Sequence, residues 1–222
     1  MTAAAPAPRG PRRRTSAEVQ HGILTAARDA FAGEGYDGTA TRRIAAAAGV
    51  AETLIFRHFG SKAGLYRVAI LESSPWLIRE FRWTRRPEVE PETSARNWAN
   101  HVLTVVEGNR VMLAGLLNHG LPITGDPELT AEVQAVRREL FRVLDRGARD
   151  AVGRATPGVG IALAARSAFA TFVSVSAYAA LFDVPDPDAL DVDSRAELVR
   201  LAATALLAAA TEPGRSTQAS GA

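Results

Sequence analysis

A chain of 222 residues, 47% hydrophobic and 23% charged, has the size and composition of an ordinary globular protein of one medium domain or two small ones. It has no cysteine, which excludes disulfides, thiolate metal sites and cysteine nucleophiles, and its four histidines show no ligand spacing, so neither a metal nor a cofactor is expected. Net charge is only +2, yet the first 67 residues carry ten Lys and Arg against five Asp and Glu, while the rest carry sixteen against nineteen, a distribution that points one end toward a polyanion.

Residues 1–14, Ala, Pro and Arg with little to bury, read as a disordered basic arm. Arg9, Arg12, Arg13 and Arg14 read first as part of a solubilising tail, with a minor-groove contact as the alternative. Thr15 and Glu18 form a capping box that opens helix 1, whose stripe is Val19, Ile23, Ala27, Ala30 and Phe31. Gly33 and Gly35 end it, and Tyr36 is expected to pack back on the core. The stretch 40–59 then reads as two short helices meeting at a tight turn. Thr39 or Thr41 is expected to cap the first, Ile44, Ala45 and Ala48 to face inward, and Gly49 to supply the turn. Val50 fills the angle, and Ala51 to Arg57 form the second helix. This is the pattern of a helix-turn-helix, whose second helix enters the major groove of DNA.

Ser61 caps a fourth helix with Leu65, Val68, Ala69 and Leu71. Lys62, the sole lysine, sits in its first turn, where the macrodipole disfavours a cation. A shared phosphate would explain it, and so would plain solvation. Ser74-Pro75 reads as an N-cap followed by N1, opening a segment with Trp76, Ile78, Phe81 and Trp83. Further helices follow from Pro91, over 109–118, from Asp126-Pro127-Glu128, over 161–182, and from a second capping box at Ser194 and Glu197 through 210. Gly153 to Gly160 and Asp183 to Asp193 read as loops, and 213–222 as a disordered tail. No β-alternating run and no repeat occurs, so the expected fold is all-α: a three-helix helix-turn-helix front with helix 4 over 15–74, and a helical body over 75–212. The most apolar span, 161–182, is interrupted by Arg166 and several Ser, which reads as a buried helix, not a membrane span. With no apolar leader visible, a soluble cytoplasmic protein without a membrane partner is expected.

The helices 161–182 and 194–210 are apolar over much of their circumference and rich in Ala. Such helices need cover on more than one side, which a homodimeric four-helix bundle supplies, although an interior pair in a monomer would serve too. Two reading heads about 34–36 Å apart would then meet successive major grooves of a palindrome.

The run Ile23-Leu24, Ala26-Ala27, Phe31, Gly35-Tyr36, Thr39, Thr41, Ile44-Ala45, Ala48-Gly49-Val50, Phe56, His58-Phe59 and Ser61-Lys62 resembles the DNA-binding domain of the tetracycline-repressor (TetR) family over about residues 15–70. The resemblance implies a homodimeric, ligand-responsive transcription factor, usually a repressor, that binds double-stranded DNA and holds a small-molecule effector in its C-terminal domain. It places Thr41 and Arg42 near the DNA backbone and adjacent bases, Glu52 and Thr53 at base edges, and His58 and Lys62 at phosphates. Phe56 stands where the family has Tyr, keeping the ring without the hydroxyl, and Leu54 departs from the usual small or hydroxyl residue. Arg43 and Arg57 add positive charge around the reading helix. Glu52 suits an acceptor for cytosine N4, or equally an intrahelical or capping acid. For the effector, Trp98, His101, Met112, Phe141, Phe169 and Phe172 are candidate pocket residues, with Trp76, Trp83 and Tyr178 beside them, and for each a plain core role is the alternative. A hydrophobic effector is the expectation. No Ser-His-Asp order, paired carboxylates or Gly-rich phosphate loop favours an enzyme. A DNA-binding adaptor without a ligand is the competing reading.

Overall fold

The computed structural model describes residues 15–117, 126–153, 159–177 and 191–211. The basic arm, the C-terminal tail, residues 118–125, most of both expected loops, and the Tyr178 and Phe182 positions lie outside them. The described residues are helical, with no strand among them.

Helix α1 spans Ser16–Gly38 and starts on the expected capping box: Thr15 Oγ1 accepts from the Glu18 amide at 3.2 Å and Glu18 accepts from the Thr15 amide at 2.7 Å. Gly35, at φ 70°, breaks the helical path. Tyr36 turns inward onto Phe31 and Tyr66, with ring centroids 6.1 and 5.5 Å away. Thr39 does not cap α2 as expected; its hydroxyl donates back to the Gly35 carbonyl at 2.6 Å and closes the end of α1. The N-cap of α2, Thr41–Ala48, is Ala40, with no side-chain cap, and Thr41 is the first helical residue. Helix α3 spans Glu52–Phe59. Ile23, Ala27, Phe31, Ile44, Ile55, Leu65 and Tyr66 form the fully buried centre of this front.

Helix α4, Lys62–Tyr66, is capped by Ser61, which accepts from the Gly64 amide, and it broadens at once into a π-helical turn, Arg67–Leu71. Helix α5 is Ser74–Glu80. Its N-cap is Ser73, one residue earlier than expected, because the Ser74 hydroxyl donates to the Leu71 carbonyl at 2.5 Å instead of turning toward the new helix. A non-helical strap over 81–90 leads into α6, Pro91–Gly108, then α7, Arg110–Leu117. Helix α8, Pro127–Ala151, is capped by Asp126, which accepts from the Leu129 amide at 2.8 Å. Helices α9, Val159–Ala177, and α10, Val192–Thr211, complete the body.

The expected capping box on the last helix is not formed. Asp191 accepts from both the amide and the hydroxyl of Ser194, so the helix starts earlier, and Glu197 pairs with Arg200. In the body, α10 packs on α6 and α9, and α8 on α9 and α6, while α7 lies against α1. One apolar core runs from Ile23 through Leu113 to Leu206.

Candidate functional site

The turn between α2 and α3 sets the candidate reading surface. Gly49 lies in the left-handed region at φ 64°, ψ 43°, which a side chain would strain. Its amide donates to the Ala46 carbonyl, and the Val50 amide donates back to Ala45 at 3.0 Å, the paired closure of a Schellman motif. The chain therefore re-enters helix at Glu52. Fully buried Ile55, with Leu54 and Phe59 half-buried, anchors one side of α3. Helical periodicity then turns Thr53, Phe56 and Arg57 outward, and all three are exposed. Phe56 leaves 45% of its area in solvent, a large apolar ring on an otherwise polar face.

The predicted DNA-contact residues divide by what already occupies them. Arg42 and Arg57 are exposed and have no ion pair among the described residues. Arg43 is exposed as well, but Glu34 of α1 takes its guanidinium with both oxygens, one at 2.5 Å. Thr41 donates its hydroxyl to Glu52 Oε1 at 2.5 Å. Glu52 is thus neither an intrahelical nor a capping acid here; it ties α3 to the start of α2. The Lys62 amine lies 4.5 Å from the centre of the Tyr36 ring and 3.5 Å from the Asp37 carbonyl. Burial lowers its pKa, partly opposed by Asp37. The ring face and the carbonyl are local partners that account for a cation at this helix start. His58 Nε2 is enclosed without a hydrogen-bond partner.

Residues that sequence reading passed over fix α4 and the π turn within this front and tie them to the body. A Cβ on Gly64 would lie 2.0 Å from the Phe59 carbonyl oxygen, so only glycine permits α4 to start so close to the end of α3. Tyr66 donates to the Gly115 carbonyl at 3.0 Å. Arg67 Nε meets both oxygens of Glu132 at 3.1 and 3.0 Å, with Glu128 at 3.7 Å, and Arg28 donates to the Ala69 carbonyl at 3.0 Å. The last two ties fall on the π turn, an irregularity often found where a helix serves as a hinge. Gly64 alone had a visible signal, a glycine within the first turn of a helix.

The expected effector residues are not gathered into one place. Phe141 and Phe169 meet edge to face at 6.0 Å and line a recess of about 420 Å³ with Ala114, Leu117 and Val173. Arg166 stands at its edge, held by Asp145 at 2.6 Å, 5.4 Å from the centre of the Phe141 ring. Phe172 is buried core, Met112 lies near Asn109 on another surface, and Trp76 is 47% exposed on α5. Trp98 and His101 belong to a different cluster. The Trp83 ring lies 5.5 Å from that of His101, and Trp98 Nε1 packs where a Cβ on Gly147 would come within 2.8 Å. In and around this cluster Trp83 Nε1, Arg85 Nε, Ser94 Oγ, Trp98 Nε1 and His101 Nε2 are buried without hydrogen-bond partners. Each such atom ordinarily costs about 1–3 kcal/mol if nothing fills its need. Among the described residues no group of His, Asp and Glu has the arrangement of a metal site, and no helix is long and apolar enough to cross a membrane.

Comparison with known proteins agrees with this geometry. The family described as bacterial regulatory proteins, tetR family, matches residues 23–69, from the buried stripe of α1 to the π turn. The HTH-type transcriptional repressor AcnR of Corynebacterium efficiens is 27% identical over 164 residues, covering 62% of this chain and 84% of that protein. A tetR-family regulatory protein from Rhodococcus shares the fold at a TM-score of 0.61, with 22% identity over 85% of this chain and 96% of that one. FadR from Bacillus subtilis, solved in complex with stearoyl-CoA, does so at 0.53, with 17% identity over 86% and 97%. A glycine-closed helix-turn-helix on an all-helical body, matched over residues 23–69, gives this chain the DNA-binding domain of the tetR family of bacterial regulatory proteins.

Proposed function

We propose that this protein is a homodimeric repressor that binds a palindromic operator and is released by a small hydrophobic effector. The observation that carries the reading is the α3 surface: Thr53, Phe56 and Arg57 exposed on a helix whose other side is anchored by Ile55, with unpaired Arg42 beside it. In this reading Arg42 and Arg57 meet phosphates, Thr53 and the free oxygen of Glu52 meet base edges, and Phe56 packs on a thymine methyl. Thr41, Arg43 and Lys62 position the reading helices through the contacts described above. Residues 15–74 form the reading unit, and 75–212 hold effector and partner.

The dimer is supported by the outer faces of α9 and α10, where Leu163 is 64% and Leu201 51% exposed among Ala, Ser and Thr. The effector is supported by the apolar recess at Phe141 and Phe169 with Arg166 at its edge, and by stearoyl-CoA in the Bacillus subtilis FadR structure. A ligand there acts only if it binds the DNA-competent and released arrangements with different affinity. The ties of Tyr66 and Arg67 are the elements through which a shift of α7 or α8 reaches α4 and the π turn.

Gel-shift titration on the promoter beside the protein's own gene, over a series of salt concentrations, tests the DNA half. Salt-sensitive binding at two protomers per site is the expected result, and absence of binding to any palindromic fragment overturns it. Adding stearoyl-CoA or free fatty acids of graded length to the complex tests release. A complex indifferent to all of them removes the hydrophobic-effector reading and favours an adaptor without a ligand.

A further inference from the structure

Another place in the body gathers buried polar groups without partners. On α6, Ser94, Trp98 and His101 follow one another at spacings of four and three, so they share a face. Trp83, carried on the strap over 81–90, lies against that face: its ring is 5.5 Å from His101, and its Cβ packs on the same glycine, Gly147, as the Trp98 indole nitrogen. Ser94 and Trp98 are 2% and 0% exposed, and the polar atoms of both are unpartnered. Arg85, two residues along the strap, donates to the Val89 carbonyl at 2.7 Å but leaves Nε buried and unpartnered, and it has no ion pair among the described residues. Val89, Trp83 and Ser94 in turn line a recess of about 420 Å³ whose lining contains Arg86 and no acid. None of these lining residues belongs to the recess at Phe141 and Phe169.

The unpartnered atoms define what they need. Two indole N–H groups and one guanidinium N–H can only donate, and the serine hydroxyl and the imidazole nitrogen can donate as well. A cluster with this surplus of donors calls for an acceptor-rich group, and a guanidinium with no carboxylate beside it calls for a negative one. A single charge suffices, since Arg86 is the one cation among the residues lining the recess, Arg85 precedes it on the strap, and the other walls are Val89, Trp83 and the uncharged Thr84, Ser94 and Asn97. The volume lies toward the small end of ligand sites, about 300–1,000 Å³. We propose that Trp83, Arg85, Ser94, Trp98 and His101 form a binding site for a small carboxylate with an apolar body. The carboxylate takes the donors, and the apolar part lies against Trp83 and Val89. As a binding site this stands independently of the function proposed above; as an effector site it rests on the ligand-responsive reading.

Two of the three tryptophans are in the cluster, and Trp76→Phe removes the exposed third, so the emission of that full-length variant reports on the site. Titration uses benzoate and hexanoate as probes, with inorganic phosphate at matched ionic strength as the control anion. The expected result is a saturable emission change with at least one carboxylate and a rise in melting temperature at saturation. Ser94→Ala and Arg85→Gln should each weaken it about tenfold, with His101→Gln as a further variant if either loses its helical spectrum, while Phe141→Leu leaves it unchanged. No saturable change with either carboxylate, an equal response to phosphate, or Ser94→Ala and Arg85→Gln titrating like the parent overturns the site. The same additions to a DNA complex separate the two claims: carboxylate binding that leaves the complex intact keeps the site and removes its role as an effector site.

Discussion

The front of the molecule, from Thr15 to Leu71, and the region of strap and helix from Phe81 to His101 treat polar groups in opposite ways. In the front they are closed over short distances: Thr15 with Glu18, Thr39 with Gly35, Thr41 with Glu52, Arg43 with Glu34, and Ser61 with Gly64. Apart from the enclosed His58 Nε2, what stays open there faces outward, on Arg42, Thr53, Phe56 and Arg57. In the second region the open groups face inward, on Trp83, Arg85, Ser94 and Trp98. The front thus leaves its open groups mainly on the surface, and the second region keeps its own buried. The family match follows the same line, covering residues 23–69 and leaving the body outside.

The most direct way to break the front is Gly64→Ala. The new methyl would meet the Phe59 main-chain oxygen at 2.0 Å, and a main-chain atom between two helices has little room to yield. We expect a loss of about 3 kcal/mol, at the upper end of overpacking costs, with loss of DNA binding, read by urea unfolding and gel shift.

Next comes Tyr66, which joins the front to α7. Burial pushes its phenol well above the usual range. Above about pH 10 the unfolded chain releases that proton while the folded chain keeps it, so stability is full below pH 10 and falls as pH rises, by up to about 1.4 kcal/mol per unit. Tyr36, raised by burial and then by Asp126 and Asp37, adds a smaller slope of the same sign. Tyr66→Phe should cost about 1 kcal/mol at pH 7 through the lost bond to Gly115 and should flatten most of the alkaline slope, measured by unfolding at pH 7 and pH 11.

A comparison inside the reading face is finer. Arg42→Ala should weaken DNA binding across sequences and reduce the salt slope by about 1, whereas Arg43→Ala should change the slope less, because Glu34 already holds its charge. Equal slopes for the two variants would show that the Glu34 pair opens on DNA. The smallest expected effect on stability is that of Arg67→Ala. Its bridge to Glu132 is partly exposed, which limits its worth to about 0.2–1 kcal/mol, yet it spans the π turn and α8. An effector that still releases DNA with unchanged midpoint from Arg67→Ala would exclude this tie from the coupling.

Much of the front was legible before any coordinates because its determinants are local. A capping box, a glycine turn and apolar residues three and four apart act within one or two turns of helix, so their spacing in the chain is their spacing in space. Local reading failed where one side chain had two possible partners. Thr39 closes the end of α1 instead of opening α2, Ser74 bonds backward to Leu71, and Asp191 displaces Ser194 as the cap of α10. Each choice depends on the backbone path on either side, which periodicity does not specify.

What the sequence determined by itself was the all-helical class and the helix-turn-helix, because helical period and glycine chemistry suffice for these, while Thr53 and Phe56 were singled out by the family resemblance. Only the tertiary structure decided that Thr41 and Glu52 bind each other, that Arg43 is held and Arg42 is not, and that Phe141 and Phe169 line one recess while Trp98 and His101 sit in another. Which groups meet across 41 to 65 residues of chain, as Arg28 meets Ala69 and Arg67 meets Glu132, is fixed by how whole helices pack, and so is which donors are left without a partner.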